Sequence, residues 1–149
     1  MNVRVYHANA AAATYATISH GMIGVDGVAA SDARRKLVAM ATVDDFLTLD
    51  IRVGTVVAAE PFPEARKPSI KLRVDFGPEL GVKRSSAQLT VHYTPEQLIG
   101  RQVVAVVNFP LRRIAGFESE VLVLGAMPTD RDVILLAVDR PVDDGTRIG

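Results

Sequence analysis

Alternation of hydrophobic and polar residues is clearest in residues 69–76. Ile70, Leu72, Val74 and Phe76 fall on one face of this stretch, and charged residues fall on the other. A period of two is typical of a half-buried β-strand. The pattern therefore predicts a strand whose apolar face lines a core.

Further strands are predicted on both sides of this one, at 50–59, 82–89, 101–108, 121–127 and 133–138. Gly54 is expected to mark a β-bulge or a sharp coil in the first of them. The stretch 101–108 is almost continuously apolar, as expected of a central strand. A turn is predicted at 77–81 and a loop at 109–120.

Two short helices are predicted from their starting residues. Thr42 precedes two acidic residues, so its hydroxyl is expected to cap a helix that runs to about Leu49. Thr94 is followed by proline and then, three residues after the threonine, by Gln97, which is the pattern of a capping box. Gly100 is expected to end that helix after about one turn.

Five or six short strands, with a one-turn helix between the third and the fourth, predict an all-β protein. The expected architecture is a five-stranded Greek-key barrel of the OB-fold type with short flanking helices. Its domain is expected to span 40–149. The preceding residues 1–39 lack a sustained period, and Met40-Ala41-Thr42 resembles a natural start. We expect 1–39 to be an extension that is disordered or lies outside the true reading start, with a targeting role as the alternative.

Composition narrows the class of protein. The chain has 149 residues, 48% of them hydrophobic and 23% charged, which is typical of a globular domain. The absence of cysteine excludes disulfides, thiolate metal sites and cysteine nucleophiles. No apolar run approaches the ~20 residues that span a bilayer. We therefore expect a cytoplasmic protein without membrane insertion.

Catalytic groups are sparse in the predicted domain. His92 is its one histidine, and no serine–histidine–aspartate arrangement is evident. Glu118 and Glu120 share a face of an extended chain, where a solvated or ion-paired role is favoured over acid–base chemistry. No spacing of histidines or carboxylates indicates a metal, and no glycine-rich loop indicates a nucleotide. The sequence predicts neither an enzyme nor a cofactor.

Charge is distributed unevenly along a chain of zero formal net charge. Segments 40–65 and 114–149 each carry a net charge of −4, whereas 66–113 carries +6. Positive charge in the middle of the domain would attract an acidic or phosphate-bearing partner. The alternative is a solvated surface with no functional asymmetry.

Two groups of residues are candidates for binding a polymer. The first lies on the second and third strands, where an OB-fold usually binds its ligand, and consists of Lys71, Arg73, Arg84, Ser85, Ser86 and Gln88. The second lies in the loop 109–120 and just before it, and consists of Asn108, Phe109, Arg112, Arg113, Phe117 and Ser119. The alternatives are a plain polar strand edge for the first group and rings that plug the barrel ends for the second.

The second and third strands carry no outward aromatic residue, which weakens the interpretation as a generic single-stranded nucleic-acid binder, because such proteins stack bases on aromatic rings. A folded RNA and an extended polypeptide both remain open as ligands.

Several segments resemble the tRNA-binding domain family, which occurs as an appendix of methionyl-tRNA synthetases and as free-standing proteins. The matching segments are 50–54, 62–66, 83–88 and 108–125, and the resemblance covers about 43–149. Within that family the chain is most similar to the CsaA-type export chaperones. The resemblance implies an OB-fold homodimer that binds unfolded or exported polypeptides, in a family whose parent domain binds tRNA.

Two positions depart from the family pattern. Leu111 stands where a second proline is expected, and the segment 85–88 differs from the Val-Ser-Gly type common in tRNA-binding relatives. The second departure puts their mode of tRNA contact in question, although Asn108, Arg112 and Ser119 match positions associated with it.

Three functional hypotheses follow. The first is a chaperone-like dimer that binds unfolded polypeptides or preproteins. The second is a protein that binds tRNA or another structured RNA through the same basic face. The third is a module that docks a protein subunit.

Overall fold

A computed structural model describes residues 40–149, and the prediction for 1–39 lies outside the described residues. Within the described residues there are three short helices, α1 (Val43–Leu47), α2 (Gly77–Leu80) and α3 (Pro95–Leu98). The strands are β1 (Ile51–Pro61), β2 (Ile70–Asp75), β3 (Val82–Ala87), β4 (Gln102–Val106), β5 (Arg112–Ile114), β6 (Phe117–Ser119), β7 (Leu122–Val123), β8 (Gly125–Thr129) and β9 (Asp132–Leu135).

Five strands form one antiparallel sheet in the order β3-β2-β1-β4-β7. The sheet curls into a nearly closed barrel, so the predicted all-β, OB-type architecture is confirmed. The hairpins β5–β6 and β8–β9 pair separately from this sheet.

The alternation that predicted β2 is confirmed by its burial. Ile70, Leu72 and Val74 are at most 1% exposed, whereas Lys71 and Arg73 point away from the core. Strand β4 is buried on both faces, which accounts for its continuous apolar sequence. One face of it joins the barrel core, and the other packs in a second cluster with Ile51 and Val53 of β1.

The C-terminal segment covers the second cluster. The backbone N–H of Val53 donates to the carbonyl of Thr146 at 2.9 Å, and the N–H of Ile148 donates to the carbonyl of Ile51 at 2.8 Å. The side chain of Ile148 packs against the same cluster. The N-terminal half of β1 is therefore paired to β4 on one edge and to the C-terminal segment on the other.

The predicted N-cap at Thr42 and the predicted capping box at Thr94 are both present, and the structure adds a capping box at Thr42. The hydroxyl of Thr42 accepts from the N–H of Asp45 at 3.2 Å, and the Asp45 carboxylate accepts from the N–H of Thr42 at 2.7 Å. That backbone hydrogen bond holds the pKa of Asp45 below its usual value. At α3, the side-chain oxygen of Gln97 accepts from the N–H of Thr94 at 3.0 Å.

Gly54 was predicted to mark a bulge or a sharp coil, and the bulge is wrong, since Gly54 pairs in regular register with Val103 of β4. The register of β1 against β2 shifts between Val56 and Ala58 instead. Gly54 is buried where a Cβ atom would lie 2.7 Å from the Asp75 carbonyl oxygen and 2.7 Å from the Phe76 ring. The position requires glycine because of this close approach, and not because of a break in pairing.

Three further predictions differ from the structure. The predicted loop 109–120 contains the hairpin β5–β6, whose turn places Ala115 and Gly116 at positive φ. The predicted strand 121–127 is divided into β7 and β8. The last strand, β9, pairs with β8 and does not extend the five-stranded sheet.

Replacing Gly54 by alanine should lower the free energy of unfolding by about 2–3 kcal/mol, because the added methyl group overlaps a backbone oxygen and an aromatic ring. Urea denaturation would measure this loss. Gly149→Ala is the control, because no atom lies within 4 Å of its added Cβ. Equal midpoints for the two variants would contradict the packing explanation.

Candidate polymer-binding groove

The barrel closes along a seam between β3 and residues 118–121. The N–H of Glu120 donates to the carbonyl of Arg84 at 2.8 Å, and the N–H of Arg84 donates to the Glu120 carboxylate at 2.9 Å. The hydroxyl of Ser85 donates to the carbonyl of Val121 at 3.0 Å, and the N–H of Ser86 donates to the Ser119 hydroxyl at 3.2 Å. Side chains complete a pairing that the backbone alone makes only in part.

Ion pairs surround the same seam. The Arg84 guanidinium contacts Glu118 at 2.8 Å and Glu120 at 3.3 Å. Arg113 reaches Glu118 at 3.2 Å, and Lys83 reaches Glu120 at 3.8 Å. Glu118 and Glu120 are ion-paired, which is one of the two roles favoured for them from the sequence.

These contacts shift the pKa values of Arg84 and Glu120. The hydrogen bonds to Glu118 and then Glu120 raise the pKa of Arg84 above its ordinary value. Burial opposes the charged form of Glu120, but hydrogen bonds from the backbone and side chain of Arg84 outweigh it, so the pKa of Glu120 is lowered. Both groups are therefore held in their charged states.

Three predicted ligand-binding residues belong to this seam. Ser85 is 1% exposed and Ser119 is 8% exposed, so neither hydroxyl can meet a polymer in this structure. Arg84 is partly exposed, but its guanidinium is occupied by two carboxylates. The prediction treated the polar stretch 83–88 as a donor surface, whereas the pairing of Ser85 with Leu72 in β2 turns that serine into the barrel.

Lys71 and Phe117 pack with Phe62 in a group that is separate from the two core clusters. The two rings meet edge to face with centroids 5.4 Å apart, and the Lys71 ammonium lies 4.7 Å from the Phe62 centroid. Lys71 also contacts the Glu60 carboxylate at 3.5 Å and that of Glu64 at 3.8 Å. These contacts fasten the β5–β6 hairpin to the loop between β1 and β2.

Asn108 connects the end of β4 to the start of β1. Its amide donates to the carbonyl of Thr48 at 2.8 Å, and its side-chain oxygen accepts from the N–H of Asp50 at 2.9 Å. Phe109 follows at 43% exposure and does not line the groove described next. The structure therefore separates Asn108 and Phe109 from the other predicted residues.

A groove of about 580 Å³ lies beside the end of β3. It brings together three of the predicted residues, Ser86, Gln88 and Arg112. Its remaining lining residues come from the loop between β1 and β2, from the end of β3 and just after it, from β5, and from the stretch from β7 to β9: Ala65, Arg66, Lys67, Ser69, Ala87, Leu89, Ile114, Leu122, Val123, Leu124, Gly125, Met127, Asp130 and Val133.

Apolar side chains dominate the groove, and its charged groups are mainly cations. Within 40–149, the side chains of Arg66, Lys67 and Arg112 lie in no ion pair, and all three residues are exposed. Asp130 is the one acidic residue in the lining. Acids from the flanking segments neutralise Lys71, Lys83, Arg84 and Arg113. The other cations of segment 66–113 lie in no ion pair within 40–149: three line the groove, whereas Arg73 and Arg101 lie outside it.

Sequence reasoning missed Arg66, Lys67, Leu122 and Met127 as lining residues. The two adjacent cations in a proline-bounded loop were the available signal for the first pair. Leu122 and Met127 are 44% and 60% exposed, which periodicity does not reveal. Arg73 and Arg113 are exposed but lie outside the groove lining.

No group of three metal-binding side chains occurs among residues 40–149. In the same residues, none of the helices is long and apolar enough to span a bilayer.

Ser85→Ala should lower the free energy of unfolding by about 1–2 kcal/mol, because it removes a buried hydrogen bond across the seam. Ser86→Ala is the matched control, since that hydroxyl borders the groove, and its effect should stay within about 0.5 kcal/mol. Chemical denaturation of both variants checks the assignment. A larger loss for Ser86→Ala would assign the structural role to the wrong serine.

Glu120→Gln should destabilise the protein at neutral pH and matter less in acid. The folded-state pKa of Glu120 is lowered, so its carboxylate stabilises the fold above the ordinary pKa of 4.5, and that contribution is lost as pH falls through the folded value. Denaturation at several pH values should show the difference from wild type shrinking below about pH 4.5. Exposed Glu96→Gln is the control, and a pH-independent difference for Glu120→Gln would contradict the linkage.

A model of the family described as putative tRNA binding domain matches residues 51–147. The methionine–tRNA ligase of Porphyromonas gingivalis is 38% identical over 105 residues, and that of Methanococcoides burtonii is 39% identical over 107 residues. These matches cover 70% and 72% of this chain but only 15% of each ligase. The chain therefore corresponds to a small part of these relatives.

Three solved structures match over all or nearly all of their length. The chaperone CsaA of Bacillus anthracis has a TM-score of 0.72 and 60% identity, covering 74% of this chain and 100% of that one. CsaA of Picrophilus torridus has a TM-score of 0.69 and 46% identity, with the same coverage. A MetRS-related protein of Pyrococcus horikoshii has a TM-score of 0.66 and 31% identity, covering 74% of this chain and 98% of that one. The chain thus belongs to the putative tRNA-binding domain family and shares its fold and much of its sequence with CsaA chaperones.

Proposed function

We propose that this protein is a CsaA-like chaperone that binds segments of unfolded or exported polypeptides. The observation that carries the proposal is the groove beside β3, where apolar side chains adjoin three cations that have no ion pair within 40–149. Two similar solved structures bear the name chaperone CsaA. We propose no catalytic role.

The groove suits the two features that distinguish an unfolded segment from a folded surface. Such a segment exposes apolar side chains, and burying them against Ile114, Leu122 and Met127 is favourable by about 25 cal/mol per Å². It also exposes unpaired backbone amides and carbonyls. The Gln88 side chain, exposed beside the groove, offers both a donor and an acceptor to them.

A second candidate ligand is tRNA. The family description names tRNA binding, and Arg66, Lys67 and Arg112 contribute positive charge to the groove. Cations of this kind bind RNA through its phosphate groups, and this contact needs no aromatic side chains that stack on bases. An RNA bound in this way would be recognised by its backbone and shape.

The homodimer and the cytoplasmic location expected from the sequence stay predictions. The dimer is checked directly by sedimentation equilibrium on the full chain. A monomer at all concentrations would remove the dimer from the proposal and leave the groove unaffected.

Arg112→Ala should weaken binding of an unfolded client polypeptide about fivefold to tenfold, because Arg112 lines the groove and is exposed. Arg113→Ala is the matched control, since that neighbouring guanidinium is engaged by Glu118 outside the groove, and it should change affinity less than about twofold. Fluorescence anisotropy with a labelled, permanently unfolded protein measures both. Failure to bind this client, or to slow its aggregation, would sink the chaperone proposal.

The same variants should be titrated with tRNA at several salt concentrations. Loss of one phosphate-contacting cation should reduce the salt slope of the logarithm of affinity by about 1. Loss of tRNA affinity in Arg112→Ala along with client affinity would indicate one shared site. A wild-type protein that binds tRNA without salt dependence, or not at all, would eliminate the second candidate.

A further inference from the structure

A second depression, of about 570 Å³, lies between the chain around α3 and the chain that follows β9. We call it the Arg101 cleft. Its volume is within the range of roughly 300–1,000 Å³ that is typical of small-ligand sites. None of its lining residues belongs to the groove beside β3, and they are Tyr93, Gly100, Arg101, Gln102, Leu135, Ala137, Val138 and Pro141.

One polar side chain of the Arg101 cleft is already engaged within the protein. The amide nitrogen of Gln102 donates to the carbonyl of Val142 at 2.6 Å. Its amide oxygen accepts from the N–H of the same residue at 3.1 Å. Gln102 therefore holds the C-terminal side of the cleft in place and has little capacity left for a ligand.

Two side chains of the Arg101 cleft keep hydrogen-bond donors available. Arg101 is exposed, is the one charged residue of the lining, and forms no ion pair with any residue of 40–149. The hydroxyl oxygen of Tyr93 accepts from the N–H of Leu135 at 3.1 Å, which leaves its own O–H able to donate. The guanidinium and this O–H are the groups that a ligand would meet.

Local contacts restrict the positions of both donors. The N–H of Tyr93 donates to the carbonyl of Leu89 at 3.0 Å. The N–H of Arg101 donates to the carbonyl of Leu98 at 3.1 Å, and the carbonyl of Arg101 accepts from the N–H of Val56 at 2.9 Å. The guanidinium lies 5.3 Å from the centroid of the Tyr93 ring, in a cation–π contact. Because the guanidinium is held over this ring, less conformational entropy is lost when a ligand binds it.

The available groups define the charge and the shape of a matching ligand. Both are donors and one is a cation, so the ligand must offer acceptors and negative charge. A single cation balances the single charge of a carboxylate, whereas a phosphate monoester carries nearly two charges at neutral pH. Leu135, Val138 and Pro141 offer an apolar surface to the rest of the ligand. A second negative charge beside that surface would lack a partner.

We propose that the Arg101 cleft binds an aliphatic carboxylate. The carboxylate accepts hydrogen bonds from the Arg101 guanidinium and the Tyr93 hydroxyl, and the adjoining apolar group packs against Leu135, Val138 and Pro141. This chemistry is found at the C-terminus of a polypeptide that ends in an apolar residue, and also in free aliphatic acids. The site is separate from the groove beside β3 and does not depend on the proposed function.

Short N-acetylated peptides titrated into the full chain by calorimetry test the ligand chemistry. One peptide ends in leucine with a free carboxylate, the second has this carboxylate converted to an amide, and the third ends in serine. The second and the third should each bind about tenfold more weakly than the first, because one lacks the charge and the other lacks the apolar group. Equal affinity for the acid and the amide, or no binding of any peptide, would overturn the proposal.

The free acid 4-methylpentanoate, which carries the leucine side chain without a peptide bond, separates the two sources of the ligand. An affinity equal to that of the first peptide supports the proposal and assigns the site to free acids. An affinity about tenfold lower supports it and assigns the site to chain ends, whose peptide groups then add contacts.

Variants of the protein locate the binding. Arg101→Gln should weaken the first peptide about tenfold and its amide less than about twofold, since only the acid loses a charged partner. Arg73→Gln is the matched control, because Arg73 is also exposed and lines neither depression, and it should change affinity less than about twofold. Arg112→Ala should likewise have little effect. A loss in Arg112→Ala equal to that in Arg101→Gln would place the binding in the groove beside β3 and overturn the proposal.

Discussion

Pairing between β3 and residues 118–121 is the contact on which the rest of the structure depends, because a curled sheet remains open until its terminal strands are joined. Two main-chain hydrogen bonds and two serine hydroxyls make that pairing, with the Arg84 guanidinium bridging two carboxylates beside it. The acids come from a segment of net negative charge and the cation from a segment of net positive charge. Ion pairs between segments of opposite net charge therefore connect distant strands. Only the cations of segment 66–113 that these ion pairs do not use can contact a ligand.

The position of the groove follows from where this pairing stops. Hydrogen bonds across the seam end at Ser86, and the strands on either side diverge around a space that the hairpins β5–β6 and β8–β9 flank. Extending the pairing would close the barrel further and remove the groove. The groove and the closure of the barrel thus share one stretch of β3, and the hydroxyl of Ser119, which takes the place of a strand partner, marks the boundary between them.

Local patterns predicted those elements whose burial is decided by their own sequence. The alternation in β2, the apolar run of β4, the N-cap at Thr42 and the capping box at Thr94 each specify one local structure. The stretch 83–88 is polar on both faces, so its period indicates no inner side, and only pairing with β2 turns Ser85 inward. The contacts of Arg84 with Glu118 and Glu120 join residues 34 and 36 positions apart, which no local pattern encodes.

Of the predicted site, Ser86, Gln88 and Arg112 meet in the groove. Asn108 and Phe109 lie apart from it, because the side chain of Asn108 is hydrogen-bonded to the backbone of Thr48 and Asp50.

The loop between β1 and β2 is held by contacts that leave its cations uninvolved. The N–H of Phe62 donates to the carbonyl of Ser69 at 3.0 Å, the Ser69 hydroxyl donates to the carbonyl of Lys67 at 2.8 Å, and the Phe62 ring rests against Phe117. None of these contacts uses the side chains of Arg66 or Lys67. Substitution of these two side chains should therefore change the charge that the loop presents at the groove. The backbone of the loop and the barrel that it packs against should keep their conformation.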